Sequence, residues 1–308
     1  MTAIPAGGIS QGRVVVNFGA YCLVEDNLGQ LARCRCPRRL KRPVCGDHVY
    51  WQAMPGQDQG ALTEILPRRN ELLRHDPRTR NRVLAANLDV ILIVIAAKPE
   101  PDLALADRYL VGAEVMRLQP VLVFNKSDLL DSATRDQWRR ALREFETLGY
   151  AVIRTSTKTE LGLDELRAIL QDRSGIVVGQ SGVGKSSLID RLVPDLALRI
   201  QVLSEASGEG QHTTTATRLY PLPGRRGCVI DSPGVRDFRL WPMPATELAG
   251  GFPEIRKVSG LCRFQDCRHI KEPDCEVKRS VERDLVSPRR YASYCQLVEW
   301  AAQERRAY

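Results

Sequence analysis

Two segments of this 308-residue chain, and the order in which they come, constrain its fold more than anything else in it. Asn125-Lys126-Ser127-Asp128 closes the apolar run Pro120-Val121-Leu122-Val123-Phe124, and Gly179-Gln180-Ser181-Gly182-Val183-Gly184-Lys185-Ser186 follows well downstream. In an ordinary small GTPase the phosphate loop opens the domain and the N-K-x-D element comes later. Here the order is N-K-x-D, phosphate loop, Thr213-Thr214-Thr215, then Asp231-Ser232-Pro233-Gly234. All the parts are present in permuted order, so the expected core is a circularly permuted α/β P-loop domain.

The second segment fits G-x-x-x-x-G-K-[ST] at every required position. The run Gly175–Val178 precedes it and a helical pattern from Ser186 to Leu192 follows, which is the strand–loop–helix setting the motif needs. Glycines at 179, 182 and 184 let successive N–H groups converge on phosphate, aided by the helix N-terminus. Gly179 to Lys185 with Ser186 and Ser187 are therefore the candidate phosphate-binding residues. Lys185 is expected on the β- and γ-phosphates, with the Ser186 hydroxyl on Mg²⁺.

The base is read from Asn125, Lys126, Ser127 and Asp128. The Asp128 carboxylate can accept from both the ring N–H and the exocyclic amine of guanine, a donor pair that adenine lacks. Thr155-Ser156-Thr157-Lys158 follows the next apolar stretch, Tyr150–Ile153. It is read as the loop closing on the guanine oxygen through backbone N–H groups, with Ser156 and Thr157 as contacts. After the strand Gly227–Ile230, Asp231 is placed to hold Mg²⁺ through water, and the Gly234 N–H to meet the γ-phosphate. Val235 stands where Ras-like enzymes carry a water-orienting Gln, and valine neither donates nor accepts. His212 is the nearest candidate for that task. Thr214 is expected to close over Mg²⁺ and γ-phosphate, so His212, Lys185 and Thr214 form the expected catalytic set.

Together, the permuted order, the Gly-Gln-Ser-Gly-Val-Gly-Lys-Ser-Ser-Leu loop, His-Thr-Thr-Thr and Asp-Ser-Pro-Gly resemble the RsgA family of bacterial small-subunit biogenesis GTPases. The resemblance extends to both flanks. It implies an N-terminal oligonucleotide-binding barrel, a permuted GTPase and a C-terminal zinc-binding segment. It also implies binding to the small ribosomal subunit late in assembly, with the subunit stimulating GTP hydrolysis.

Local chemistry on the flanks agrees. Cys262-x4-Cys267-x-His269-x5-Cys275 offers four ligands in a short span, the composition of a closed, structural Cys₃His zinc site. The other six of the nine cysteines, Cys34, Cys36 and Cys45 included, are read as reduced thiols. The segments Gly12–Val24, Leu31–Cys36, Asp47–Gln52 and Ala61–Leu66 alternate like five short strands, enough for a small all-β OB-fold barrel. Arg33, Arg35, Arg38, Arg39, Lys41 and Arg42 crowd one part of it. With a formal charge of +8, this favours ribosomal RNA as partner.

The expected division is an OB-fold RNA-binding domain at 1–78, the permuted GTPase at 79–241 and a mostly α zinc-binding domain at 242–308. Neither a signal peptide nor a membrane-spanning run is read, so the expected setting is the cytoplasm, with GTP and GDP as ligands and a monomer as default. Two other readings stay open: a GTP-gated RNA-binding module with negligible turnover, and a permuted GTPase acting on another ribosomal particle.

Overall fold

The computed structural model describes residues 8–54, 57, 59–74, 82–207, 216–232 and 240–306. Five strands open the chain: β1 (Ile9–Asn17), β2 (Tyr21–Asp26), β3 (Leu31–Arg35), β4 (His48–Ala53) and β5 (Gly60–Ile65). β1 pairs antiparallel with both β2 and β4, β3 runs parallel to β5, and β4–β5 completes the ring. Closure removes the open edges that a five-stranded sheet would otherwise expose. The period-2 pattern decides which side chains fill it. Val14, Cys22, Val24, Cys34, Val49, Trp51 and Leu62 make a buried interior separate from the main core.

A two-stranded antiparallel ribbon, β6 (Glu71–Arg74) and β7 (Arg82–Ala86), leads to the second layer. That layer holds β8 (Val90–Ala96), β9 (Gln119–Asn125), β10 (Ala151–Arg154), β11 (Ser174–Gly179), β12 (Arg218–Pro221) and β13 (Cys228–Asp231). In space the order is β10-β9-β8-β11-β13-β12. The first five are parallel. β8 is buried at all seven positions, as a central strand covered on both faces must be. The crossovers carry α1 (Leu103–Val115), α2 (Ser132–Thr147), α3 (Leu163–Leu170), α4 (Lys185–Leu192) and α5 (Leu196–Ser207). Asp102 and Asp131 start α1 and α2, each accepting from the N–H three residues on.

Regular strand–helix alternation from Val83 to Leu240 predicts an all-parallel sheet, and β12 departs from it. A short turn through Pro223–Arg225 joins β12 to β13, so the pair is a hairpin and antiparallel. β12 also meets the barrel: Arg218 pairs with Val16 of β1, which makes barrel and GTPase sheet one eleven-stranded hydrogen-bonded system.

The C-terminal unit contains α6 (Ala245–Gly250), α7 (Pro253–Ser259), α8 (Glu276–Glu282) and α9 (Pro288–Arg306). The sequence predicts one helix reaching Phe252. Instead α6 stops at Gly250, and Pro253, at the first position of α7, starts a new axis. α9 lies against α1 through a buried ionic cluster. Arg290 donates to Asp107 at 2.7 Å and to Glu254 at 2.5 Å, Arg289 to Asp107 at 2.6 Å and to Glu144 at 2.7 Å. Ser293 adds a hydroxyl bond to Asp107 at 2.7 Å. No described helix is long and apolar enough to cross a membrane.

Candidate nucleotide site and metal group

The phosphate loop leaves the C-terminal end of β11, between β8 and β13, where ligands bind in open α/β sheets. Gly179 adopts φ 141°, and a Cβ there would fall on the Val94 carbonyl oxygen of β8, so only glycine lets the loop leave so close to the neighbouring strand. Gly184 (φ 95°) ends the loop, where a Cβ would sit 2.5 Å from the Asn125 amide.

That last contact matters because the Asn125 amide joins the two halves of the site. Its Nδ2 donates to the Val183 carbonyl at 2.9 Å, and its Oδ1 accepts from Thr155 Oγ1 at 3.0 Å. One fully buried side chain thus links the phosphate loop, the N-K-x-D segment and the loop after β10. Lys126 stands in the left-handed region (φ 56°), and its ammonium donates to Gly182 O at 2.6 Å and Lys98 O at 3.0 Å. Ser127 Oγ donates to Thr155 O at 2.9 Å.

Asp128 is held ready for the base. Its Oδ1 accepts from Ser156 Oγ at 2.7 Å, and the exposed Lys158 ammonium lies 3.8 Å from Oδ2. Ser156 contributes through its hydroxyl, which also accepts from the Lys158 and Thr159 N–H groups; its own N–H donates to Leu161 O. Thr157 follows, half-buried. Thr155 is a site residue that its motif does not announce, because its role is to orient Asn125 rather than to touch a ligand.

Lys185 donates to the Gly179 and Gln180 carbonyls, both at 2.7 Å. Ser186 and Ser187 lie exposed on the first turn of α4, as do Ser181 and Gly182 in the loop before it. Asp231 ends β13, and the adjoining Ser232 exchanges a hydroxyl bond of 2.9 Å with Thr217. The structure therefore brings Asn125–Asp128, Ser156, Thr157, Gly179–Ser187 and Asp231 to one end of one sheet. His212, Thr214 with its neighbours Thr213 and Thr215, and Gly234 lie outside the described residues.

The metal group is compact. The ligand atoms of Cys262, Cys267, His269 and Cys275 all lie within 4.8 Å of one another. His269 Nδ1 is 3.5 Å from both Cys262 Sγ and Cys275 Sγ, and those two sulfurs are 3.9 Å apart. A tetrahedral zinc with ordinary bond lengths needs about 3.6 Å for S···N and about 3.8 Å for S···S. The residues fit the ion, and no second group of such ligands gathers elsewhere among the described residues. Burial pushes the Cys267 and Cys275 thiols up and the His269 imidazole down. The imidazole is thus kept in its ligand form, while the thiols must release protons to a metal. Tyr291 and Tyr294 of α9 donate to the His269 and Arg268 carbonyls at 2.7 and 2.8 Å, fixing the loop from outside. Metal analysis should find one zinc per chain, and Cys275→Ser should lose it and lower the unfolding midpoint. A variant of undiminished midpoint would show that the loop stands without its ion.

A parallel sheet that carries a base clamp and a phosphate loop in reversed chain order, with a barrel before it and a Cys₃His unit after it, defines a circularly permuted GTPase. The sequence model of the RsgA GTPase family matches residues 65–241. The chain belongs to that family and is a GTP-hydrolysing enzyme. It is 43% identical over 283 residues to the small ribosomal subunit biogenesis GTPase RsgA of Pseudomonas aeruginosa (strain LESB58), covering 92% of this chain and 83% of that protein. Its identity to the RsgA of Chromohalobacter salexigens is 46% over 292 residues, 94% of this chain and 85% of the relative. Among solved structures, YjeQ from Thermotoga maritima superposes with a TM-score of 0.78 at 30% identity, covering 96% of this chain and 99% of YjeQ. YloQ, described as a circularly permuted GTPase, gives 0.74 at 27% identity over 100% of this chain and 99% of YloQ.

Proposed function

We propose that this GTPase acts in late maturation of the small ribosomal subunit, binding the subunit in its GTP form and leaving after hydrolysis. What carries this reading is that relatives named small ribosomal subunit biogenesis GTPase match more than nine-tenths of the chain, the barrel and the metal unit included. The barrel supplies an RNA-facing surface: Arg35, Arg38, Arg39, Lys41 and Arg42 are all exposed. The protein then works as a monomer in the cytoplasm, divided into a barrel domain (1–78), a GTPase domain (79–241) and a zinc domain (242–308).

In the nucleotide site Asp128 accepts from the guanine edge, braced by Ser156, while Asn125 keeps base clamp and phosphate loop in register. Lys185 exchanges the Gly179 and Gln180 carbonyls for the β- and γ-phosphates. Mg²⁺ supplied with GTP would neutralise charge on those phosphates, with the Ser186 hydroxyl and Asp231 as its holders. Thr214 and Gly234 meet the γ-phosphate, and His212 orients the attacking water in place of the glutamine that Val235 replaces. Zinc in the Cys₃His group supplies no open coordination position, so its contribution is architectural.

Hydrolysis with and without purified small subunits, in wild type and His212→Ala, tests this reading. We expect strong stimulation in wild type and its loss, by about 10²–10³-fold, in the variant. Turnover that stays negligible with subunits present would instead favour a GTP-gated RNA-binding module.

A further inference from the structure

Between the barrel, β7 and the strands of the two switch segments lies a crevice of about 110 Å³. Two exposed arginines, Arg42 of the basic loop and Arg82 at the start of β7, line it together with Asn17, Cys45, Thr217 and Ser232. Cys45 and Ser232 are buried and form its floor. The other arginines at this junction are engaged. Arg13 donates to Ser174 and Cys228, Arg68 pairs with Asp47, Arg69 with Asp89 and Arg225 with Glu25. Arg42 and Arg82 have no carboxylate partner among the described residues.

The loop that carries Arg42 is nevertheless fixed. Arg68 grips Asp47 with two nitrogens, at 2.7 and 2.8 Å, and donates to the Arg42 carbonyl at 3.1 Å. Asp47 also accepts from the Val44 N–H at 2.8 Å, and Asn17 Nδ2 donates to the Pro43 carbonyl. Two uncompensated guanidinium groups on a pinned backbone, over a floor of hydroxyls, form a ready receptor for a phosphate.

We infer that this crevice receives a backbone phosphate of ribosomal RNA between Arg42 and Arg82, and that its floor passes the contact to the active centre. The inference rests on the proposed ribosomal function. The floor has a direct route to both switches. Ser232 follows the magnesium-side Asp231, and Thr217 lies just beyond the threonines at 213–215; their hydroxyls share the 2.9 Å bond. The chain around the threonine segment is anchored on the barrel at both ends. α5, which precedes it, packs on β2 and β3, with Leu203 buried in the same apolar cluster as Leu23. β12, which follows it, pairs with β1. An RNA contact at Arg42 and Arg82 therefore bears on a segment with little freedom to ignore it.

The test is binding of GTP-analogue-loaded protein to small subunits over a range of salt, for wild type, Arg42→Ala/Arg82→Ala and Arg42→Lys/Arg82→Lys. The double alanine variant should bind about tenfold or more weakly, and its log-affinity against log-salt slope should fall by about one per arginine. The lysine pair should recover the slope. An unchanged slope in the alanine pair overturns the proposal. Deproteinised small-subunit RNA should show the same loss; a loss seen only on intact subunits would make the partner a ribosomal protein. Inorganic phosphate held by the free wild-type protein, and not by the alanine pair, would move the assignment to a small ligand. Thr217→Val should keep the half-saturating subunit concentration and lower the maximal stimulated rate, relative to its own intrinsic rate, about tenfold; an unchanged maximum overturns the coupling. Wild type indifferent to subunits would count against the proposed function itself, and the RNA arm alone would then judge the crevice.

Discussion

Arg290→Met should destabilise this protein by about 3–5 kcal/mol, because it leaves Glu254 with no cation in the interior. The Arg290 side chain has no exposed surface, nor has Asp107, and Glu254 retains only 6%. Truncating one member of such a cluster removes attraction while leaving the desolvation of the others in force. Chemical unfolding read through the zinc unit should show the loss, and a change below about 1 kcal/mol would mean that water already reaches the cluster. A triple variant, Asp107→Leu, Glu254→Leu and Arg290→Met, should recover much of the stability, since it leaves no unpaired charge beyond Arg289, which keeps Glu144. The cluster also limits how nucleotide state can be signalled. With α9 locked to α1, the zinc unit and the GTPase sheet move together, and what changes on hydrolysis must be the switch segments rather than the angle between the two.

Asp128→Asn should reduce GTP affinity by roughly 10³-fold or more, and should admit xanthosine triphosphate in its place. The amide oxygen can still accept from Ser156, so the loop keeps its shape. The amide nitrogen, however, presents a donor to the exocyclic amine of guanine, which is itself a donor, whereas xanthine has an oxygen there. Competition binding with the two nucleotides reads the result directly. Equal losses for both would show that Asp128 holds the loop together and does not choose the base.

The parts of the site that were legible in the sequence are those whose chemistry is local. The phosphate loop, Asn125–Asp128 and the Cys₃His spacing each lie within a few consecutive turns, so residue type and spacing determine them. The barrel strands were legible because alternation is also local. What escaped depends on distant partners. Nothing near Asn125 says that its amide will brace a carbonyl 58 residues away. Nothing near Asp107 says that arginines 182 and 183 residues on will meet it; on an amphipathic helix a carboxylate reads as a solvent-facing charge. The antiparallel placement of β12 was hidden for a related reason. Four residues fit either direction, and the short turn to β13 decides. The division of α6 from α7 was the exception, since Pro253 marks it and the apolar pattern runs across it.

The eleven-stranded sheet has a consequence for how the protein is made. Its first strand, β1, gains its last neighbour from β12, and Arg13 of β1 closes on Cys228, 215 residues later in the chain. Permutation likewise delivers β8, β9 and β10 before the strand that carries the phosphate loop, although β11 lies beside β8 in the finished sheet. During synthesis the barrel can close early, but one end of β1 and one edge of β8 stay unpaired until most of the chain has emerged. Nucleotide cannot template the early half, because no phosphate-binding residue yet exists when the base clamp is complete. The nascent chain therefore carries two waiting strand edges, and the last hairpin, β12–β13, joins its halves into one sheet.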